Sequence, residues 1–261
     1  MALYVKGDIH GNPSSFSSSA FPEGKTLTRE DYVLILGDFG MVWNYKGETA
    51  NESYWLDWLE DKPWTTLFID GNHENFDRLD ALSQADWHGG KVSYIRPHIL
   101  HLKRGYVFDI DGCKCFCMGG ASSHDIRDGI LDIEKDAKLI KQWEKDYFKL
   151  FRINKVSWWE QELPNEEEMK RGFIELEKNN WEVDFIFSHC ASTSTENMLR
   201  ASGILPLGID TYPDKLNNYL QEIEDKTTFK KHYFGHYHSD EPVYGCGGKQ
   251  ILLYDNIERI N

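Results

Sequence analysis

Six short apolar runs, each ending in a polar cluster instead of an ordinary turn, constrain this chain more than any other feature. They are Leu3–Lys6 before GDIHG, Tyr32–Leu36 before GDFG, and residues 66–69 before DGNHE. Cys113–Met118 before GGASSHD, residues 183–187 before SHC and residues 232–234 before GHYH complete the set. Short runs rich in Val, Ile, Phe and Tyr are strand-like. Helical patterns lie between several of them, as at 52–60 and 74–82, and strands alternating with helices indicate a layered α/β fold. In such sheets ligands sit beyond the carboxyl ends of the strands. All six polar clusters are therefore expected around one cleft.

Two regions read differently. Residues 94–121 carry tightly spaced strands with Asp111-Gly112 as a hairpin turn, so the sheet arrangement is expected to be mixed. Residues 122–182 read as an insert on the core. Within it, 134–151 is a charged helical stretch, Trp158-Trp159 reads as insert core, and Asn165 with Glu168 forms a capping box that opens a helix after Pro164. No internal repeat or low-complexity linker interrupts the 261 residues, which are read as one domain, 1–261, with an insert at about 122–182.

Charge and cysteine usage narrow the function classes. With 29 Lys+Arg against 43 Asp+Glu, the net charge is -14. That balance argues against a protein that coats duplex nucleic acid, whose affinity needs clustered cations. It leaves room for a site whose positive charge comes from bound metal ions. Of the five cysteines, Cys113, Cys115 and Cys117 alternate along an apolar run and read as buried strand residues, with Cys190 and Cys246 apart from them. That spacing suits neither a disulfide framework nor a zinc site, because all three thiols point the same way. No stretch approaches the roughly 18 apolar residues of a membrane span, and the apolar start is too short for a signal peptide. A cytoplasmic protein is expected.

The strand-end clusters supply metal-ligand chemistry. Asp8 and His10 stand two apart after the first run, Asp38 follows the second, and Asn72 and His73 the third. His189 follows a later run, and His236 and His238 repeat the two-apart spacing after the last. A glycine precedes each cluster except Ser188-His189, leaving the backbone free to turn sharply. The inventory is too large for one ion, and two ions sharing a carboxylate accommodate it. Mixed imidazole and oxygen donors suit Mn, Fe or Zn better than Ca or Mg, with manganese expected first. Paired metals are a known arrangement for displacement at phosphorus, in which a shared water attacks as hydroxide.

In this order, GDIHG, GD, GNHE, an apolar run ending in His, and GHxH resemble the calcineurin-like metallophosphoesterase superfamily, from Gly7 to His238. The resemblance implies a core of two facing mixed sheets flanked by helices in four layers, with two metals at the strand ends. It implies that Asp8, His10 and His238 hold one ion, that Asn72, His189 and His236 hold the other, and that Asp38 bridges. His73 would protonate the leaving group. The implied activity is hydrolysis of phosphate esters, as a phosphatase or phosphodiesterase.

The chain also departs from that pattern. Where the serine/threonine protein phosphatases extend GD to GDxVDRG, this chain has Met41 for the His-orienting aspartate and Val42 for the phosphate-clamping arginine. Arg127, in GGASSHDIRD, is the expected substitute for the phosphate contact. His88, His98, His101, His124 and His232 match no motif and are read as non-ligands. The alternatives to a phosphatase are a nuclease or nucleotide phosphodiesterase acting on single-stranded or small substrates, and a catalytically silent metal-binding scaffold.

Overall fold

The computed structural model describes residues 1–205, 213–240 and 247–261, so Cys246 lies outside the described residues. Strands β1 (Leu3–Lys6), β2 (Tyr32–Leu36) and β3 (Thr65–Ile69) pair in parallel. Next come β4 (Gln84–Trp87), β5 (Gly90–Arg96) and β6 (Ile99–Leu102), with β6 parallel to β3 and the other pairings antiparallel. A hairpin of β7 (Tyr106–Ile110) and β8 (Cys113–Met118) opens a second sheet. Its two turn residues, Asp111 and Gly112, have φ of 55° and 75°, the left-handed pair that a tight hairpin demands. Separately, β9 (Gly129–Leu131) and β10 (Phe151–Ile153) form a two-stranded parallel ribbon. The second sheet is completed by β11 (Phe185–Ser188), β12 (Lys231–Phe234) and β13 (Gln250–Leu252), all parallel to β8, and β14 (Ile257–Arg259) returns to pair with β1. The orders are β14-β1-β2-β3-β6-β5-β4 and β13-β12-β11-β8-β7.

Alternation along each strand divides the apolar residues between two faces. Leu3, Val5, Leu34, Leu36, Leu67 and Ile69 meet Phe108, Cys115, Cys117, Phe185, Phe187 and Tyr233 across the gap between the sheets. Their intervening neighbours face outward. Val33, Ile35 and Phe68 are covered by Leu56 and Leu59 of α1 (Ala50–Glu60) and Leu79 of α2 (Phe76–Asp80). In the second sheet Phe116, Met118 and Ile186 are covered by Leu176, Leu216, Leu220 and Ile223. The resulting four layers, helix, sheet, sheet and helix, are those implied by the resemblance. Both faces of the central strands are buried, as parallel sheets require.

Two helical expectations shrink. Residues 74–82 give only the short α2, which Asn75 caps by accepting from Arg78 N. Of the charged stretch 134–151, only α3 (Ala137–Trp143) is helical, and its end passes into β10. Charge density fixed no apolar face there: Ile140 is the one buried residue of α3, while Tyr147 and Phe148 are exposed. The capping box closes on both sides at α4 (Glu166–Lys178). That helix joins the outer layer of the second sheet through Leu176, together with α6 (Lys215–Lys226). Helix α5 (Thr193–Ala201) precedes α6 in the connection from β11 to β12. No helix among the described residues is long and apolar enough to cross a membrane.

Candidate metal centre

The carboxyl ends of β1, β2, β3, β11 and β12 deliver the polar clusters to one place. Asp8 Oδ1 accepts from His236 N at 2.9 Å, which ties the end of β1 to the end of β12. Asp38 Oδ1 accepts from His73 N at 2.8 Å and lies 3.2 Å from His189 Nε2. The ligand atoms of Asp8, His10, Asp38 and His238 lie within 4.8 Å of one another, and so do those of Asp38, His189 and His236; Asp38 belongs to both groups.

Backbone geometry makes this convergence possible. His10, Asp38, His236 and His238 have φ of 45°, 46°, 70° and 49°. Non-glycine residues rarely adopt that region, and strain of this kind is held at functional sites by the surrounding structure. The two-apart pairs therefore face one cleft through left-handed turns beyond the strands, not through the pleat alternation that their spacing suggests. The glycines serve a different purpose from the one read in the sequence. A Cβ on Gly71 would collide with Asp38 Oδ1, one on Gly235 with Asp8 Oδ1, and one on Gly37 with the His189 ring. They make room for ligand side chains of neighbouring strands.

The donor set fits divalent cations. Asn72 Oδ1 is buried with no hydrogen-bond partner among the described residues. Asp8 Oδ2 and His189 Nε2 are buried without an aligned hydrogen bond, 3.2 Å from His238 Nε2 and Asp38 Oδ1 respectively. Leaving such atoms without a hydrogen bond in a protein interior is costly, and each can offer a lone pair to a metal. Their orientation is fixed from behind, as metal ligands usually are. His189 Nδ1 sits 2.7 Å from the Leu36 carbonyl and donates there, so Nε2 is the nitrogen that would offer a lone pair once a cation displaces its proton. Asn72 Nδ2 donates to Ser123 Oγ at 3.4 Å, and Ser123 in turn donates to Glu162, which leaves the amide oxygen free. His10 Nε2 and His238 Nε2 are 2.9 Å apart, close to the roughly 3 Å between two ligands that share one ion at about 2.1 Å.

Electrostatics separates the histidines. Burial lowers His189, but the charges of Asp38 and Asp8 outweigh it and push the ring up to about 9. Burial by itself would raise the Asp8 and Asp38 carboxyls; the His189 ring, with hydrogen bonds from the surrounding histidines, outweighs it and both are held well below the usual carboxylate range. His236 is driven far down by burial and then by His124 and His189, so it is a neutral imidazole with a lone pair to offer.

Above these groups lies a cavity of about 220 Å³ lined by Asp38, Asn72, His73, His124, Asp125, Arg152, His236 and His238. His73 stacks on Trp43 at 5.3 Å between ring centres, and burial, with Arg152 opposing Asp38, pushes it down to about 4. Arg127 does not line this cavity. Its side chain is 60% exposed and pairs with Asp128 and the Phe148 carbonyl, so it is not the phosphate contact expected. The sequence reading missed Arg152, which comes from β10, and it set aside His124, whose ring centre lies 4.4 Å from that of His236. Neither belongs to a motif, and only the tertiary fold brings them here. Trp159 is buried against Trp43 and donates from Nε1 to Asp77 at 3.0 Å. It thereby fastens the segment carrying Arg152 to α2 and to the loop after β2.

Met41 and Val42 are buried core residues. Ser188 Oγ donates to the Cys190 carbonyl at 2.6 Å and lies 2.6 Å from His232 Nε2, whose Nδ1 faces Glu224 at 2.6 Å. This Ser–His–Glu chain has triad-like spacing, yet Ser188 and His232 are fully buried. It works as a polar tie between β11, β12 and α6. A larger cleft, about 540 Å³, lies elsewhere against Asp70, His101 and Arg104. There Arg104 is paired with Asp70 and Glu168.

Fold and site together define a two-sheet α/β architecture with two candidate metal-ligand groups at its strand ends. The sequence matches the calcineurin-like phosphoesterase family over residues 1–240, and the chain belongs to that family. Among curated protein sequences none matches it. A solved structure, the phosphopantetheinyl hydrolase from Mycobacterium tuberculosis, is similar at a TM-score of 0.45 and 13% identity, with 97% of this chain and 90% of that chain covered.

Proposed function

We propose that this protein hydrolyses phosphate esters with two divalent cations, manganese first and iron or zinc as alternatives. Asp8, His10 and His238 would hold one, Asn72, His189 and His236 the other, and Asp38 both. The observation that carries this reading is the pair of ligand groups that share Asp38, backed by three buried donor atoms without an aligned hydrogen bond. Bound there, the cations would supply Lewis acidity and a water acidic enough to ionise near neutral pH.

The chain's own residues do the rest. The strained loops hold the ligands in place before any substrate arrives, so little reorganisation is needed. His73 stands at the cavity wall as the proton donor to the leaving oxygen. In the free protein it is neutral at pH 7, since its pKa is pushed down to about 4. An entering phosphoryl anion raises that value, because a nearby negative charge favours the protonated ring. Residues of the 122–182 insert, His124, Asp125 and Arg152, line the same cavity, which supports a role for it in choosing the substrate.

Metal analysis coupled to a substrate panel tests the proposal. The full chain should take up two divalent ions and turn over at least one of p-nitrophenyl phosphate, its bis ester, a cyclic nucleotide and short single-stranded DNA. Uptake of no metal by folded protein would sink it, and two ions without turnover would favour the scaffold reading.

A further inference from the structure

Arg152 is a buried cation on the cavity wall, and only one of its three donor nitrogens meets a carboxylate. The residue is 7% exposed. Its Nε donates to Asp125 Oδ1 at 2.5 Å, one terminal nitrogen donates to the Ser157 carbonyl at 3.0 Å, and the other lies 3.0 Å from His73 Nε2. The carboxylate that pairs with it is itself 48% exposed, and the terminal nitrogen on the cavity side meets only the His73 ring. A buried charge is costly unless fully partnered. On the reading above, Asp38, Asn72, His236 and His238, which would hold the cations, line the same cavity as Arg152. Three positive centres around one small cavity make sense once an anion sits among them.

Resting on the proposed phosphoesterase reading, we propose that Arg152 grips a non-bridging oxygen of a phosphomonoester, and that this contact makes monoesters the substrate class. A monoester phosphoryl group has three non-bridging oxygens and a diester only two. Two cations and one guanidinium offer three positive centres, so only the monoester has an oxygen for each. Arginine suits the task because it stays charged and presents planar, paired donors. Asp125 is a positioning residue: it accepts from Nε and leaves the terminal nitrogen beside His73 on the cavity side. Once Arg152 moves onto a phosphoryl oxygen, His73 Nε2 is released from it and is available at the leaving group.

The test uses the full chain loaded with manganese. Calorimetry reads orthophosphate binding, and kinetics on p-nitrophenyl phosphate and bis-p-nitrophenyl phosphate read the substrate class. Arg152→Ala should weaken orthophosphate and lower monoester kcat/KM by about 100-fold each, as expected for loss of a charge-assisted pair. The diester should lose less than about tenfold, with manganese content unchanged. Asp125→Asn should raise KM for the monoester several-fold with little change in kcat. Because Arg152 also ties down the Ser157 turn, Arg152→Gln, which keeps most of the volume, is measured beside it, and Arg152→Lys should recover part of the phosphate affinity. Equal losses on both esters, unchanged orthophosphate binding in folded Arg152→Gln, or an equal loss in Arg127→Ala would overturn the assignment. If the wild type hydrolyses neither ester, the phosphoesterase reading fails by itself, and orthophosphate binding alone then decides the role of Arg152.

Discussion

The floor of the cavity and its rim are built by different means. The floor comes from turns directly after strands, and its side chains are fixed by backbone: left-handed φ at four candidate ligands and glycines packed against their neighbours' ligands. The rim comes from the insert, and its side chains are held by other side chains, through Asp125–Arg152, Ser123–Glu162 and Trp159–Asp77. Chemistry set by backbone leaves a local mark in the sequence, whereas chemistry set by docking leaves none. The floor should therefore fail abruptly when altered, and the rim should degrade by degrees.

The largest effect is expected at the shared carboxylate. Asp38→Ala removes an atom from both ligand groups, so kcat/KM should fall by about 10⁴-fold or more. Manganese should drop below two equivalents by elemental analysis. Two ions retained in this variant would show that Asp38 does not bridge, and the floor would lose its special standing.

His73 lies between the two regions, since its backbone belongs to the floor and its ring meets Arg152. His73→Ala should leave metal content intact and slow alkyl phosphates by about 10² to 10³-fold. Nitrophenyl esters, which leave without protonation, should slow by less than about tenfold. Equal slowing of both classes would refute the proton-donor role and make His73 part of the floor.

The same division explains what the sequence made legible. Five-residue runs such as Tyr32–Leu36 are apolar on both faces and need no partner to be recognised, and the clusters after them follow at fixed distance. By contrast β9, β10, β13 and β14 have three residues each, too few for a periodic signal, and their pairing is decided by what lies beside them. Arg127 and Arg152 illustrate the limit at the site. Arg127 follows a motif strand closely in sequence, yet the chain turns it onto Asp128. Arg152 is 79 residues from His73 in sequence and touches it. Proximity along the chain pointed to Arg127, which the fold leaves out of the cavity, while docking of the rim brings in Arg152.

A final test sets one histidine of the floor against one of the rim. In the metal-free protein His189 is pushed up to about 9, against burial, by Asp38 and Asp8, while burial pushes His124 down to about 4 despite Asp125. The unfolded chain titrates both near 6.5. For His189 the folded state binds the proton more tightly, so its contribution is fully present below pH 6.5 and is lost as pH rises through 9. For His124 the unfolded state binds the proton more tightly, so stability falls as pH drops from 6.5 towards 4. Each limb should be worth on the order of 2 to 3 kcal/mol. Manganese should flatten the alkaline limb and steepen the acid one, because a metal-bound His189 takes no proton in the folded state whereas the unfolded ring does below pH 6.5. The His124 comparison is therefore made in chelator. A cation occupying His189 Nε2 excludes the proton, so the alkaline loss of Tm seen with a chelator should flatten when manganese is added. The acid limb assigned to His124 should instead diminish in His124→Asn. An alkaline limb that is unchanged by manganese would remove His189 from the cations' surroundings, and with it the distinction between a floor built for metal and a rim built for substrate.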